Sequence, residues 1–276
     1  MKKVLGLVVS HRKLGNSELL VKEIIRNIPE ECKRELIRLT DLRLEPCKAC
    51  YRCLQPENPC PVKDDFNFVI EKIKKADALI IGVPVYFLGP HGYYKMLTDR
   101  LIGAQNDAQG TQGKPCVIVM PYGTKGWEGY SKAAAIIMPK LLRMKLVDCW
   151  QVHATLPGES LLNPENISYA QALGRGIFTG HEYHPGSRDC SVCGSDLFRL
   201  LPDNRVECPI CGAQGILKNN GVPDFTDSDY CRFSDQEMDE HFKGWLLEMK
   251  KRFFAEKGYL KELQKDYRDQ SWWIRP

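Results

Sequence analysis

Eight of the twelve cysteines fall into two compact groups. The first, CKACYRCLQPENPC, holds Cys47, Cys50, Cys53 and Cys60; the second, CSVCGSDLFRLLPDNRVECPICG, holds Cys190, Cys193, Cys208 and Cys211. Their spacings ask for different chemistry. In the first group, three-residue steps wrap a short backbone around one cubic centre. Bacterial ferredoxins use C-x2-C-x2-C for three ligands of a [4Fe–4S] cluster, and their fourth cysteine precedes a proline, as Cys60 precedes Pro61 here. Plant-type [2Fe–2S] loops begin with C-x4-C, and zinc sites pair C-x2-C knuckles across a longer insert. The spacing therefore favours a [4Fe–4S] cluster over a cluster-free loop or one that closes a regulatory disulfide.

The second group reads C-x2-C-x14-C-x2-C. Each knuckle ends in Cys-Gly, and LFRLL and RVE flank a Pro-Asp-Asn turn, the pattern of a hairpin. This is a zinc-ribbon pattern, in which the metal staples a module too small to own a core. A rubredoxin-like mononuclear iron site is the alternative, because tetrahedral S4 geometry suits both metals. Cys32, Cys116, Cys149 and Cys231 stand apart and read as small buried hydrophobes.

The elements that must carry these groups alternate. KKVLGLVVS, ELIRLT, ALIIGVPV, CVIVM and KLVDCWQV are short Val/Ile/Leu-rich runs without period-two alternation, as expected of strands covered on both faces. Helical patterns lie between them: NSELLVKEIIRNI, DDFNFVIEKIKKA, YYKMLTDRLIGA and EGYSKAAAIIMPKLLRM, with a last one over about 163–178. Five strands with crossover helices imply a doubly wound, five-stranded parallel α/β sheet. Three segments are expected: 1–180 as the α/β domain with the cysteine loop 47–60, 181–223 as the metal-bound ribbon, and 224–276 as a helical C-terminal extension.

The first strand runs into SHRKLGNSELL, which brings Ser10, Arg12, Asn16 and Ser17 to the start of a helix. Backbone N–H groups and the dipole at a helix N-terminus favour an anion. The stretch is neither GxGxxG nor a P-loop, and a single phosphate monoester fits it better; the plainer reading has Asn16 and Ser17 capping the helix. In a flavodoxin-like strand order the first and third strands flank the point where FMN sits. The third strand ends in GVPVYFLGPHGYYK, offering Tyr86 and Phe87, and the fourth in MPYGTKGWEGY, where Gly123 and Gly126 permit close approach. Three loops thus converge on a flat, phosphorylated ligand, although Tyr86, Tyr93, Tyr94 and Trp127 taken singly read as packing residues.

SHRKLGNS, the cysteine loop followed by KDDF, and ADALIIGVPVYFLGPHGYYKMLTDR together resemble the NADPH-dependent FMN reductase and iron-sulfur flavoprotein group, over about residues 2–180. The resemblance implies a flavodoxin-like fold, with FMN phosphate held by Ser10, Arg12, Asn16 and Ser17. It also implies contacts from Pro84, Val85, Tyr86 and Phe87 to the isoalloxazine ring, and it points to a [4Fe–4S] cluster on Cys47, Cys50, Cys53 and Cys60. Two departures stand out: many relatives carry proline where His11 stands, and a Ser-Gly-type pair where His91-Gly92 stands. The second faces the substrate side and leaves the substrate class open. Relatives of this fold commonly form homodimers or homotetramers, an interface to which the Trp272–Trp273 tail can contribute.

Composition bounds the rest. A chain of 276 residues with 43% hydrophobic and 27% charged residues and a net charge of +4 is globular. It shows no dense Lys/Arg stripe that would suggest nucleic-acid binding. Its longest apolar stretch, Ala78 to Pro90, is too short to span a bilayer. The apolar run at the start ends after Val9 without a small-residue cleavage site, so a cytoplasmic, thiol-reducing setting is expected. The leading expectation is an FMN-dependent oxidoreductase with a [4Fe–4S] cluster, linking ferredoxin or NAD(P)H to a small-molecule acceptor. Pocket candidates for catalysis are His91, Tyr86 and Trp127. The alternatives are a non-catalytic electron carrier and a redox-responsive regulator that docks partners through its ribbon.

Overall fold

A computed structural model describes residues 1–54, 58–103, 110–180, 183–270 and 272–274. Strands β1 (Lys2–Val8), β2 (Cys32–Arg38), β3 (Ala78–Gly82), β6 (Pro115–Tyr122) and β7 (Lys145–His153) form one sheet in the order β2-β1-β3-β6-β7, every pair parallel. Between β3 and β6 the chain forms a two-stranded hairpin, β4 (Val85–Tyr86) and β5 (Gly89–Pro90). The order reverses at β1 and β3, which places a crevice at their carboxyl ends. This is the flavodoxin-like arrangement expected from the sequence.

The unbroken apolar runs have the expected cause. Alternate residues of each strand point to opposite faces, and both faces are covered. Leu5, Leu7, Leu79, Ile81, Ile118 and Met120 share one apolar layer with α2 (Phe66–Lys75) and α3 (Gly92–Thr98). Val4, Val8, Ile80, Val117 and Val119 share the other with α1 (Asn16–Arg26) and α6 (Pro164–Gly176).

The helix expected across 128–144 is divided into α4 (Ser131–Ala135) and α5 (Ile137–Leu141). Pro139 has no N–H to give the carbonyl of Ala135, and its ring crowds that turn. The buried Tyr94 hydroxyl donates to the Ala135 carbonyl instead, at 2.5 Å. Tyr94 is thus the packing residue that its plain reading required.

A second sheet is antiparallel, in the order β11 (Pro223–Asp224), β10 (Gln214–Leu217), β9 (Arg205–Glu207), β8 (Arg199–Leu200). Asp203 and Asn204 turn β8 into β9 with φ of 61° and 55°, a left-handed pair that Asp and Asn tolerate better than most residues. The hairpin read from Pro-Asp-Asn is therefore present.

The chain divides into two compact units, Met1–Phe233 and Ser234–Pro276. The second unit is helical: α7 (Asp235–Asp239), a π turn over Glu240–Trp245, α8 (Leu246–Leu263) and α9 (Lys265–Arg268). The Ser234 side chain caps α7 by accepting from Glu237 N–H, and His241 stacks on Trp245. Among the described residues, no helix is long and apolar enough to cross a membrane.

Candidate functional site

The loop between β1 and α1 is held by groups outside it. Arg38, at the carboxyl end of β2 and paired in register with Val8, donates to the carbonyls of Ser10 (2.8 Å) and Arg12 (3.2 Å) and to Glu18 (2.5 Å). Glu18 also accepts from Leu14 N–H and Lys22. Burial works against its charge, but Lys22, Arg38 and the Leu14 amide outweigh it and hold the carboxyl at about 2. The Asn16 amide donates to the carbonyls of Ala154 and Leu156 and accepts from Ser160 N–H, tying the loop to the segment after β7. Asn16 therefore does not cap α1; Gly15 occupies the N-cap and gives no side-chain bond.

The consequence lies at the first turn of α1. Among the described residues, no hydrogen bond engages the N–H groups of Asn16, Ser17 or Glu18. Helix N-termini are normally closed by a cap or by a ligand. Ser10, Asn16 and Ser17 are buried around this turn, while Arg12 is exposed. Uncommitted amides at the carboxyl edge of β1 fit an anionic group, and Arg38, which the sequence reading missed, engages the carbonyls of Ser10 and Arg12 in the loop beside them. Its one signal was its position at the end of the second strand.

The segment after β3 contributes the β4–β5 hairpin. Phe87 and Leu88 turn it with φ of 46° and 70°, a conformation that bulky L-residues adopt only under constraint. Phe87 is 92% exposed. Tyr86, Leu88, Trp127 and Tyr130 are also exposed; Tyr130 N–H donates to the Leu88 carbonyl and Tyr130 packs over Gly89, so hairpin and β6–α4 loop form one apolar edge. Pro84 accepts from His91 N–H, and Gly123 accepts from the Thr155 hydroxyl. His91 is buried, and its Nδ1 accepts from Tyr93 N–H at the start of α3. His91 lies ring to ring with Tyr86 (4.8 Å), His11 (5.8 Å) and Tyr93 (5.8 Å). Burial, then the neighbouring His11, lowers the His91 pKa. The structure thus gathers Tyr86 and His91, with Trp127 exposed on the turn it makes to Thr124.

Cys47, Cys50, Cys53 and Cys60 line one cavity together with Arg100 and Ile102. Ala49 and Tyr51, between the first three cysteines, both have positive φ, so the backbone doubles back at each step. Cys47 and Cys50 are exposed; Cys53 and Cys60 are half-buried. Burial and then the Cys60, Cys50 and Cys47 charges raise the Cys53 thiol, so four thiolates there need a cationic core. Beneath them Arg100 donates to Cys60 Sγ (3.2 Å), to the Glu45 carbonyl (3.1 Å) and to both Asp64 carboxylate oxygens, and it stacks on Phe66. Arg100 and Asp64 were inside the motifs read from the sequence, as MLTDR and KDDF, without being singled out.

The second cysteine group is closed. Ligand sulfurs of Cys190, Cys193, Cys208 and Cys211 all lie within 4.8 Å of one another, each residue buried. Two knuckles repeat one geometry. Gly194 and Gly212 adopt φ of 84° and 79° and donate back to the carbonyls of Cys190 and Cys208, while the Cys190 and Cys208 amides donate to Ser195 and Ala213. Left-handed backbone at these two positions is what glycine supplies. Four buried thiols this close fit one metal ion.

This knuckle region also grips α4. Lys132 Nζ lies 2.6 Å from Asp189 Oδ2, both side chains nearly buried. Burial opposes the lysine charge, but Asp189 and Tyr183 outweigh it and raise its pKa to about 12. Tyr183 packs its ring on Gly194 and donates to the Gly194 carbonyl.

The NADPH-dependent FMN reductase family model matches residues 2–155. An iron-sulfur flavoprotein of Methanocaldococcus jannaschii is 44% identical over 99 residues, which is 36% of this chain and 51% of that protein. A flavone synthase of Aspergillus candidus is 29% identical over 205 residues, 63% of this chain and 64% of that one. The chain thus spans about half the length of the first relative and under two thirds of the second. Among solved structures, a flavone reductase superposes with a TM-score of 0.73 over 99% of both chains at 21% identity, a likeness of fold that takes in the four-cysteine segment and the C-terminal helices.

Proposed function

The chain belongs to the NADPH-dependent FMN reductase family, and on that premise we propose an FMN-dependent oxidoreductase that draws electrons from NAD(P)H or a one-electron donor such as ferredoxin. It hands them, with the help of a [4Fe–4S] cluster on Cys47, Cys50, Cys53 and Cys60, to a small-molecule acceptor. One observation carries this reading: the uncapped first turn of α1, whose free amides lie at the β1/β3 crevice between three converging loops. When bound, FMN supplies the chemistry that joins one-electron and two-electron partners. The residues do the rest. The amides of Asn16 and Ser17, with Ser10 and Arg12, hold the phosphate, and Arg38 and the Asn16 side chain fix the loop that presents them. Pro84, Val85, Tyr86, Phe87 and Gly123 border the ring, Tyr86 and Trp127 face the acceptor side, and His91 stands beside Tyr86.

The exposed edge of Tyr86, Phe87, Leu88, Trp127 and Tyr130 favours a flat aromatic acceptor, since exposed apolar patches of this kind mark binding surfaces. The fold neighbour named a flavone reductase is compatible with that class.

In this reading the first cysteine loop is the one-electron port, and Arg100 beneath it, paired with Asp64, holds Cys60 in place. Zinc at the second group, with mononuclear iron as its alternative, staples residues 181–223 as a structural module, and 224–276 carries the helical extension, whose first helix begins at Asp235. A homodimer or homotetramer in the cytoplasm is the assembly and setting we infer.

Anaerobic purification with metal analysis and ultraviolet-visible spectroscopy tests the assignment. Flavin absorbance, about four irons and one further metal per chain are expected from the ligand counts. Flavin without iron removes the cluster. Steady-state turnover with a small quinone separates an enzyme from an electron carrier.

A further inference from the structure

The rings of His11 and His91 lie 5.8 Å apart, edge to face. His11 belongs to the β1–α1 loop and His91 to the segment after β3, so the pair marks the seam between the two. His91 is only 7% exposed. Its Nδ1 accepts the Tyr93 N–H at 3.3 Å, which leaves the ring proton on Nε2. Among the described residues, no protein group accepts that Nε2–H, and it is not one of the fully buried polar atoms left without a partner, so it opens on solvent at the seam. A donor held in place there exchanges water for a ligand oxygen at little cost.

The seam says which oxygen. In the flavin reading, the phosphate sits at the first turn of α1 and the ring against 84–87, and the ribityl chain spans what lies between. We propose that His91 Nε2–H donates a hydrogen bond to a ribityl hydroxyl of bound FMN, with His11 and Tyr86 packed on its ring to hold it in place; this rests on the FMN reading given above. A neutral imidazole suits a hydroxyl rather than a dianion. Burial, and after it the adjacent His11, lower the His91 pKa and favour the neutral ring, and an imidazolium would have to give up the Tyr93 amide.

Three flavins that differ by one part each supply the test: lumiflavin (ring only), riboflavin (ring and ribityl) and FMN. They are titrated into the flavin-free full-length chain, as wild type and as His91→Ser. Serine keeps the helix cap, and a thermal melt checks the fold. The expected result is about tenfold weaker binding of riboflavin and FMN alike, with lumiflavin unchanged. Weakening of FMN alone assigns the contact to the phosphate and overturns the proposal. Equal weakening of all three assigns it to the ring and does the same, as does no change in any. His91→Phe, which loses cap and donor together, is expected to show the same riboflavin-to-lumiflavin ratio as His91→Ser. Failure of the wild type to bind any flavin overturns the FMN reading itself, and is thereby told apart from failure of the His91 contact.

Discussion

Lys132 on α4 and Asp189, one residue before the first ligand of the closed cysteine group, form an ion pair of 2.6 Å with 13% and 11% of their side chains exposed. Removing one partner of such a pair leaves a buried charge uncompensated. Lys132→Met or Asp189→Asn is expected to cost about 3 kcal/mol in urea unfolding. The double variant Lys132→Met/Asp189→Leu should recover most of that loss, and additive losses would show that the pair is not coupled.

Glu18 has a carboxyl held at about 2, below its ordinary 4.5. A group whose pKa is lower in the folded state adds stability above its unfolded value and loses it as pH falls through the folded value. Stability is therefore expected to decline between about pH 4.5 and 2, by on the order of 3 kcal/mol from this group. Denaturant titrations of Glu18→Gln should show a flatter pH dependence there, and an unchanged slope would refute the assignment.

Arg38 holds the carbonyls of Ser10 and Arg12. With Arg38→Met these carbonyls are free to turn toward the anion site, and FMN affinity is expected to drop about tenfold, read by quenching of flavin fluorescence. Retained affinity would show that the loop holds its shape unaided.

Metal at the closed cysteine group is expected to be retained through dialysis and to be lost in Cys211→Ser, with a lower melting temperature. Buried S4 sites couple metal binding to folding. A variant that loses the metal and melts unchanged would contradict that coupling.

Cys50→Ser should remove iron and leave flavin stoichiometry as it was, because Cys50 is exposed on its loop and takes no part in the β1–α1 loop. Loss of flavin together with iron would show that the two sites fold as one.

The parallel sheet was legible because residues buried on both faces leave long Val/Ile/Leu runs, as in ALIIG of β3. The closed cysteine group was legible because knuckle spacing is local. What escaped was contact across the chain. Arg38 acts on Ser10 from 28 positions away, Lys132 on Asp189 from 57, and Arg100 on Cys60 from 40. A lone arginine or lysine gives no sign of which carbonyl or thiolate it will meet. Asn16 shows the same limit from the other side: its side chain, a candidate helix cap in the sequence, joins residues 154–160 in place of capping α1. The broken helix at Pro139 shows how one missing donor outweighs a good helical pattern.

The turn at Phe87 and Leu88 has a consequence for binding. Two bulky residues held at positive φ cost of order 1–3 kcal/mol each, and Asn and Gly would serve folding better there. Folding therefore places no demand on which large side chain stands at the tip. The large side chains at this tip therefore answer to what binds there, and the strain of the turn is the cost of presenting them.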